Sequence, residues 1–438
     1  MKVDRFVSTR SKSLLPLNIT PRTRRISKQF GLIDDKVLNF RDDTRVLSSS
    51  ENTLSLLRKS ASSLFNSKLE KHPTSVIENL NKRKDALMVL DSPGVTKDPD
   101  AYPISWSRRN LIAVTCGIEI FYQNLDSKTV SHLCTSLFPG SPGVIQWGGE
   151  GCENLLASGS TKGSVALWDA ASEGGSGKRL RSWFAPVTKP VRSLSWNGNI
   201  LSIGSDDGYL SFVDVRDPKE YSQLKKHRAS LLGLQWSTDG LYLASGDRDG
   251  VVHVWDRRAG KLLLDTEDPT KKIRHKASAR ALAWCPWQPD LLATGTSAPE
   301  GKIRIWSTSS MSSHSPSPTQ TIPLNTSVLS LHWSPHCKEL LSTHGSSFAP
   351  GATSASQMTY LDTPMVNSIT VHQYPSSKRL MTLTNAHSKP VTHSCLSPNG
   401  ESLFTVCPRE ETIKMWQVWS KRPSPAKKES AFDKYTIR

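Results

Sequence analysis

The sequence predicts an all-β fold: a seven-bladed β-propeller over residues 86–419, set between two disordered arms, residues 1–85 and 420–438. Three observations predict it. Apolar strands ending in tryptophan recur at intervals of about 40–50 residues, the period of propeller blades. A strand of small residues with a Gly turn lies between successive tryptophans. The excess of basic charge falls mostly outside the repeating region.

The elements follow in order. Trp106, Trp147, Trp196, Trp236, Trp284 and Trp333 each close an apolar strand and open a short polar turn, and Cys395-Leu-Ser-Pro marks a divergent seventh repeat. A second set, Trp168, Trp255, Trp306 and Trp416, follows about twenty residues later in the pattern VALW, VHVW, IRIW and IKMW. Between them stand LASGSTKG, LSIGSDDG, LASGDRDG and LATGTSAPEG, each a tight strand and turn. The clearest repeat runs from His227 to Asp256. LLGLQW is a buried strand, Gly240 supplies the turn in STDG, LYLASG is the next strand, and VVHVWD follows DRDG. His227, Ser245, Asp249 and Trp255 fall at the spacing of the hydrogen-bonded tetrad of WD-repeat blades, a structural role. Neighbouring repeats keep only parts of it. Residues 346–368, rich in Gly, Ser, Ala and Pro, read as a loop inserted in blade six. A ring needs its seam closed, and Ala86–Leu90 is the expected outer strand of blade seven.

The 438 residues carry 56 Lys+Arg against 39 Asp+Glu, a formal charge of +17. Residues 1–30 hold eight basic side chains and one acidic, and residues 420–438 hold six and two, which leaves +6 for the other 389. This charge belongs to the arms, so a nucleic-acid groove on the propeller is not expected. No apolar run reaches the length of a membrane span, and the first residues lack the apolar core of a signal peptide. Seven cysteines without a C-x-x-C pair imply reduced thiols rather than a disulfide framework or a zinc site. Leu54–Phe65 has the pattern of a short amphipathic helix, either a docking element or a transient one.

Catalytic chemistry has no residues to carry it. P-loop, H-E-x-x-H, G-x-S-x-G and helix-opening G-x-G-x-x-G patterns are missing, and GGEGCEN (148–154) joins two strands. No nucleophile is paired with a base at a recognisable spacing. No enzyme, cofactor or metal is expected.

The two ends carry a resemblance. Asp4-Arg5-Phe6-Val7-Ser8-Thr9-Arg10 resembles the C-box (D-R-F/Y-I-P-x-R) of the Fizzy and Fizzy-related activators of the anaphase-promoting complex, with Ser8 where Pro is usual. Ile437-Arg438 matches that family's Ile-Arg tail, VLDSPG (89–94) its V-L-D-A-P-x segment, and SLSWNGNILSIGSDDG, DVRDP, GLQWSTDGLYLASG, ALAWCPWQPDLLATG and HWSPHCKELLSTHG its blades. The resemblance covers well over three quarters of the chain. It implies a non-catalytic substrate receptor. Asp4, Arg5, Phe6, Val7 and Arg10 would bind the ligase at one end and Ile437 and Arg438 at the other, two weak contacts that add through effective concentration.

It also implies degron-reading positions. Glu411 matches one of two acidic residues in the family's destruction-box groove, while Ser105 stands where the second, an aspartate, is usual. The family's KEN-box reader is altered: Arg248-Asp249-Gly250 replaces N-D-N, Ser327 replaces a Gln, and Pro390, beside Lys389, replaces an Arg. Weak or altered KEN reading is expected. These departures resemble fungal members restricted to meiosis and sporulation. Lys36-Val-Leu-Asn-Phe40 resembles a checkpoint-protein-binding motif, or is a plain loop hydrophobe. Ser424-Pro-Ala-Lys427 fits a proline-directed kinase site and Thr20-Pro21 a minimal one, and phosphate at Thr20 would reduce the basic charge beside the C-box. KRPSPAKK (421–428) reads as a nuclear-import cluster or as a soluble tail. The expected partners are anaphase-promoting complex subunits and degron-bearing substrates such as cyclins, in the nucleus, with no membrane and no nucleic acid. The rival reading is a WD-repeat scaffold whose basic arms contact RNA or chromatin.

Overall fold

A computed structural model describes residues 74–135, 140–171, 178–184, 189–217, 221–263, 272–312, 316–349 and 359–421. The C-box residues, Thr20, the 36–40 and 54–65 segments, Ser424, Ile437 and Arg438 lie outside the described residues. Seven antiparallel sheets of four or five strands follow one another along the chain. Blade one is Ile104–Trp106, Leu111–Cys116, Glu119–Asn124 and Val130–Thr135. Blade four is Leu231–Trp236, Tyr242–Asp247, Val251–Asp256 and Lys261–Leu262, with Ile273–Arg274 pairing against its third strand. Blade seven joins His393–Leu396, Ser402–Cys407 and Thr412–Gln417 to a strand from the far end of the chain, Met88–Asp91. Met88 pairs with Met415 and Asp91 with Thr412, so the ring is closed as the sequence predicts.

The two tryptophan sets have different tasks. Four of the inner-strand tryptophans tie one blade to its neighbour: the indole N–H of Trp196 donates to Gln146 O at 3.2 Å, Trp236 to Ser202 Oγ at 2.9 Å, Trp284 to Gln235 O at 3.0 Å, and Trp333 to Ala283 O at 3.0 Å, while Trp106 donates to Asn110 of its own blade at 3.0 Å. Those of the third strands stay within their blade and donate to a hydroxyl: Trp168 to Ser158, Trp255 to Ser245 and Trp416 to Thr405, each at 2.9 Å, and Trp306 to Thr294 at 3.0 Å. Burying an indole leaves its N–H needing a partner, and in these four blades a hydroxyl 10 to 12 residues earlier supplies one, whereas the buried Trp147 indole N–H has none among the described residues. The small second strand has its own reason. A Cβ on Gly159 would lie 2.5 Å from Val191 Cγ1 of the next blade, and one on Gly295 would lie 2.5 Å from Val328 Cγ1. Glycine there lets neighbouring sheets approach closely.

In blade four the tetrad forms, with one substitution in its membership. His227 Nδ1 bonds Asp247 Oδ2 at 2.8 Å and its Nε2 bonds Ser245 Oγ at 2.8 Å. Asp249, the sequence-based choice, is exposed in the following turn. Asp247 wins because it ends the strand that carries Ser245, where its other oxygen also accepts the Val251 N–H at 2.8 Å and pins the turn. Blade seven holds a complete network too. His387 bonds Glu410 Oε2 at 2.7 Å and Thr405 Oγ1 at 2.8 Å.

Ordered packing reaches back before residue 86. Val76 and Leu80 are fully buried in a cluster with Val418 and Trp419, beneath blades six and seven. The inserted stretch of blade six is partly strand: Glu339–Phe348 runs into it, and Tyr360–Leu361 returns to pair with Phe348 and Ser347. Among the described residues the one helix is the short Thr308–Met311.

Candidate peptide-binding face

One end of the ring is crossed by residues 96–103, which lead from the closing strand into blade one. Pro99 and Pro103 favour an extended path there. Asp98 pairs with Arg192 of blade three at 2.7 Å, and Asp100 with Arg248 of blade four at 2.6 Å. Tyr102 donates its hydroxyl to Leu232 O at 2.6 Å and packs edge-on against His393 of blade seven, centroids 4.7 Å apart. Arg280 of blade five donates to Ala101 O at 2.6 Å, to Thr392 O at 3.0 Å and to Pro99 O, with its guanidinium 4.5 Å over the Tyr102 ring. The segment thus spans the mouth of the central channel. Beneath it lies a cavity of about 430 Å³ whose walls include Tyr102, Arg280, His332, His393, Trp106, Trp284 and Trp333.

Ion pairing organises this face. Arg192 lies between Asp98 and Asp206, 2.8 Å from the latter. Burial alone raises the Asp206 carboxyl, but hydrogen bonds from Arg192 and Ser230 outweigh it and hold it below the usual carboxylate range. Arginines in or just ahead of apolar inner strands, V-R-S at Arg192 and A-R-A at Arg280, were the sequence signal for these anchors. Sequence reasoning did not use it.

The positions that the family resemblance aligns with a KEN-box reader lie as follows. Arg248 is half-exposed on the turn between the second and third strands of blade four, with Asp100 as its ion-pair partner. Gly250 ends the same turn at φ +83°, where a Cβ would lie 2.5 Å from Ala277 O and 2.6 Å from His275 O. Only glycine fits that approach. Ser327 uses its hydroxyl to accept the Ala298 N–H at 3.1 Å, which joins blade six to a turn of blade five. Pro390 is half-buried just ahead of the inner strand of blade seven, next to exposed Lys389.

The two destruction-box positions have different surroundings. Glu411 is exposed on the blade-seven turn at φ +52°, and its carbonyl accepts the Ser92 N–H at 2.7 Å. Ser105 is buried on the inner strand of blade one, lines the channel cavity and accepts the Trp147 N–H of blade two at 3.0 Å. Glu411 does not line that cavity. Ser105 therefore has a structural bond of its own.

His387, Cys407 and Glu410 bring three potential ligand atoms within 4.8 Å of one another. Both imidazole nitrogens are already hydrogen-bonded inside the blade-seven tetrad, to Glu410 and Thr405. Burial pushes the Cys407 thiol up, away from the thiolate that binds metal. His387 and Glu410 are thus members of the tetrad, and Cys407 is a buried thiol beside it.

Comparison with known proteins agrees with this architecture. A family model described as the CDC20/Fizzy WD40 domain matches residues 90–416. The chain is 33% identical to WD repeat-containing protein slp1 of Schizosaccharomyces pombe over 346 residues, 78% of this chain and 63% of that protein. It is 32% identical to "Cell division cycle 20.5, cofactor of APC complex" of Arabidopsis thaliana, over 80% of this chain and 71% of the relative. It is 30% identical to "Anaphase-promoting complex subunit cdc20" of Dictyostelium discoideum, over 89% and 72%. The match thus spans less than two thirds of slp1 and about seven tenths of the other two. A chain in the structure titled "Crystal Structure of Mitotic Checkpoint Complex" superposes with a TM-score of 0.65 at 32% identity, over 77% of this chain and 95% of that one. With a closed seven-bladed ring and a family match that runs from the closing strand to the third strand of blade seven, the chain belongs to the CDC20/Fizzy family.

Proposed function

We propose that this protein is an activator and substrate-recognition subunit of the anaphase-promoting complex/cyclosome ubiquitin ligase, and that it has no catalytic activity of its own. The observation that carries the reading is the family match over residues 90–416, to relatives named as cofactor or subunit of that complex. The sequence supports it at both ends: Asp4, Arg5, Phe6, Val7 and Arg10 resemble a C-box, and Ile437-Arg438 an Ile-Arg tail. In this reading the two ends dock on ligase subunits while the propeller holds degron-bearing proteins such as cyclins for ubiquitination. Glu411 offers an exposed carboxyl to a destruction-box arginine, and the altered positions at Arg248, Gly250, Ser327 and Pro390 shift preference away from KEN boxes.

The finer assignment is a nuclear role in meiosis and sporulation, supported by KRPSPAKK and by the departures from the family pattern. Phosphorylation at Thr20 or Ser424 would tune docking by removing positive charge. The test is co-purification. Deletion of Ile437-Arg438 together with Arg5→Ala is expected to abolish recovery of ligase subunits. Undiminished recovery overturns the reading. Comparing recovery from mitotic and meiotic cultures tests the timing.

A further inference from the structure

The rim shared by blades four and five gathers cations on one corner of the crossed face. The Arg248 N–H donates to Ser230 O at 2.9 Å, which seats its turn beside the loop carrying Arg228. The His275 N–H donates to Gly250 O at 2.8 Å, which seats the same turn beside Arg274 and Lys276. Arg228, Arg248, Arg274 and Lys276 are all exposed. The neighbouring carboxyl groups are mostly committed elsewhere: Asp247 to His227 at 2.8 Å, Glu300 to Arg304 at 2.5 Å, and Asp206 to Arg192 at 2.8 Å. Asp207 takes the Ser205 hydroxyl at 2.6 Å and Glu300 also accepts the Lys276 N–H at 2.9 Å, and Asp249 and Asp100 are the other carboxyl groups of this corner among the described residues.

Two features say what this corner would bind. Its one ion pair to the crossing segment, Asp100 on Arg248 at 2.6 Å, already shows a carboxylate as the ligand. No Phe, Tyr or Trp occurs in residues 224–230, 246–252 or 272–279, so no platform for stacking nucleic-acid bases is present there.

We propose that the blade-four/blade-five rim docks an acidic peptide segment, whose Asp or Glu side chains bind Arg228, Arg274 and Lys276 and take the place of Asp100 on Arg248. Asp100 is then a built-in competitor, an intramolecular stand-in for the peptide carboxylate. The inference rests on the reading that this face of the propeller receives substrate peptides.

Fluorescence anisotropy with the full chain tests it, using a labelled Glu/Gly decapeptide, its Gln/Gly counterpart and a uridine decamer. The Glu peptide is expected to bind at least about tenfold more tightly than the Gln peptide, with an affinity that falls as salt rises. Arg228→Ala and Lys276→Ala, which leave the crossing segment untouched, should each weaken it by about two- to fivefold. Asp100→Asn should tighten it by roughly two- to fivefold, because the competitor is gone. Equal binding of the two peptides, an unchanged or weaker affinity in Asp100→Asn, or tighter binding of the RNA overturns the proposal. These variants should still co-purify with the ligase. A failure of wild-type co-purification bears on the proposed function alone, since peptide anisotropy does not involve the ligase.

Discussion

Trp419 donates its indole N–H to Glu339 Oε2 at 2.7 Å, and the same carboxyl group takes the Ser75 hydroxyl at 2.6 Å and the Val76 N–H at 3.1 Å. One buried side chain of blade six thus holds the beginning and the end of the folded body together. The Ser420 N–H reaches Thr74 O at 3.4 Å beside it. Replacing Glu339 with Ala strands three donors in a site where Trp419, Val76 and Leu80 are fully buried. A loss of about 2–4 kcal/mol is expected, read as a lower midpoint in denaturant unfolding. Glu339→Gln should cost less, since its carbonyl still accepts. A change below about 0.5 kcal/mol in the alanine variant would show that the clasp is dispensable.

The two aspartates of the blade-four turn should separate cleanly. Asp247→Ala breaks the buried bonds to His227 and to the Val251 N–H, and is expected to cost about 2–3 kcal/mol. Asp249→Ala touches an exposed side chain and should stay within about 0.5 kcal/mol. Parallel unfolding curves of the two variants decide it.

Acid sensitivity should begin well above the carboxylate range. Burial pushes His253, His275 and His344 down to about 3 and His332 and His372 down to about 4. These imidazoles stay neutral in the folded protein at pH values where the unfolded chain, near pH 6.5, takes up protons. Stability is therefore fully present above about pH 7 and falls as pH drops through 6.5 toward the folded values. Each such group contributes a slope of about 1.4 kcal/mol per pH unit in that window. Glu410 acts later. Burial raises it, but hydrogen bonds from Ser388 and His387 prevail and bring it to about 2, so its contribution is lost only as pH falls below its unfolded value near 4.5. Melting temperature measured from pH 8 to 4 should fall from about pH 6.5, and His344→Gln should reduce the slope by its own share. A flat profile down to pH 5 contradicts the buried-histidine account.

At the degron positions, Glu411→Gln should weaken binding of an Arg-x-x-Leu peptide by roughly two- to fivefold, the range of an exposed charge pair. Ser105→Ala should act differently. It leaves the buried Trp147 N–H without its acceptor and costs about 1–3 kcal/mol of stability. Peptide titration and thermal unfolding of both variants separate a recognition role from a structural one.

Much of this was legible in the sequence because the repeat writes its geometry into spacing. Two tryptophan sets, a glycine strand and one closing segment define the ring, and the closing strand lies where the apolar run before blade one places it. The tetrad partner was harder to read. Asp247 and Asp249 flank one turn, and only the hydrogen bonds to His227 and Val251 tell them apart. The blade-seven network was hidden by its carboxylate, since Glu410 lies 23 residues beyond His387 whereas Asp247 lies 20 beyond His227. The hydroxyl spacing was the usable signal: Thr405 follows His387 by 18 residues, as Ser245 follows His227. The crossing segment was invisible for another reason. Asp98 and Asp100 meet arginines 94 and 148 residues away, a pairing no local pattern encodes.

The strand exchange at the seam fixes an order of events in synthesis. Met88–Asp91 emerges early, yet its partner Thr412–Gln417 is made about 320 residues later. At usual translation rates the first strand waits roughly 15–60 s for its sheet. Until then the exposed edge of an unfinished ring is open to pairing with other chains. Assembly of a closed propeller is therefore tied to synthesis of the last blade. A chain cut short within the last blade would leave an unsealed ring, so the seam doubles as a check that the last blade has been made.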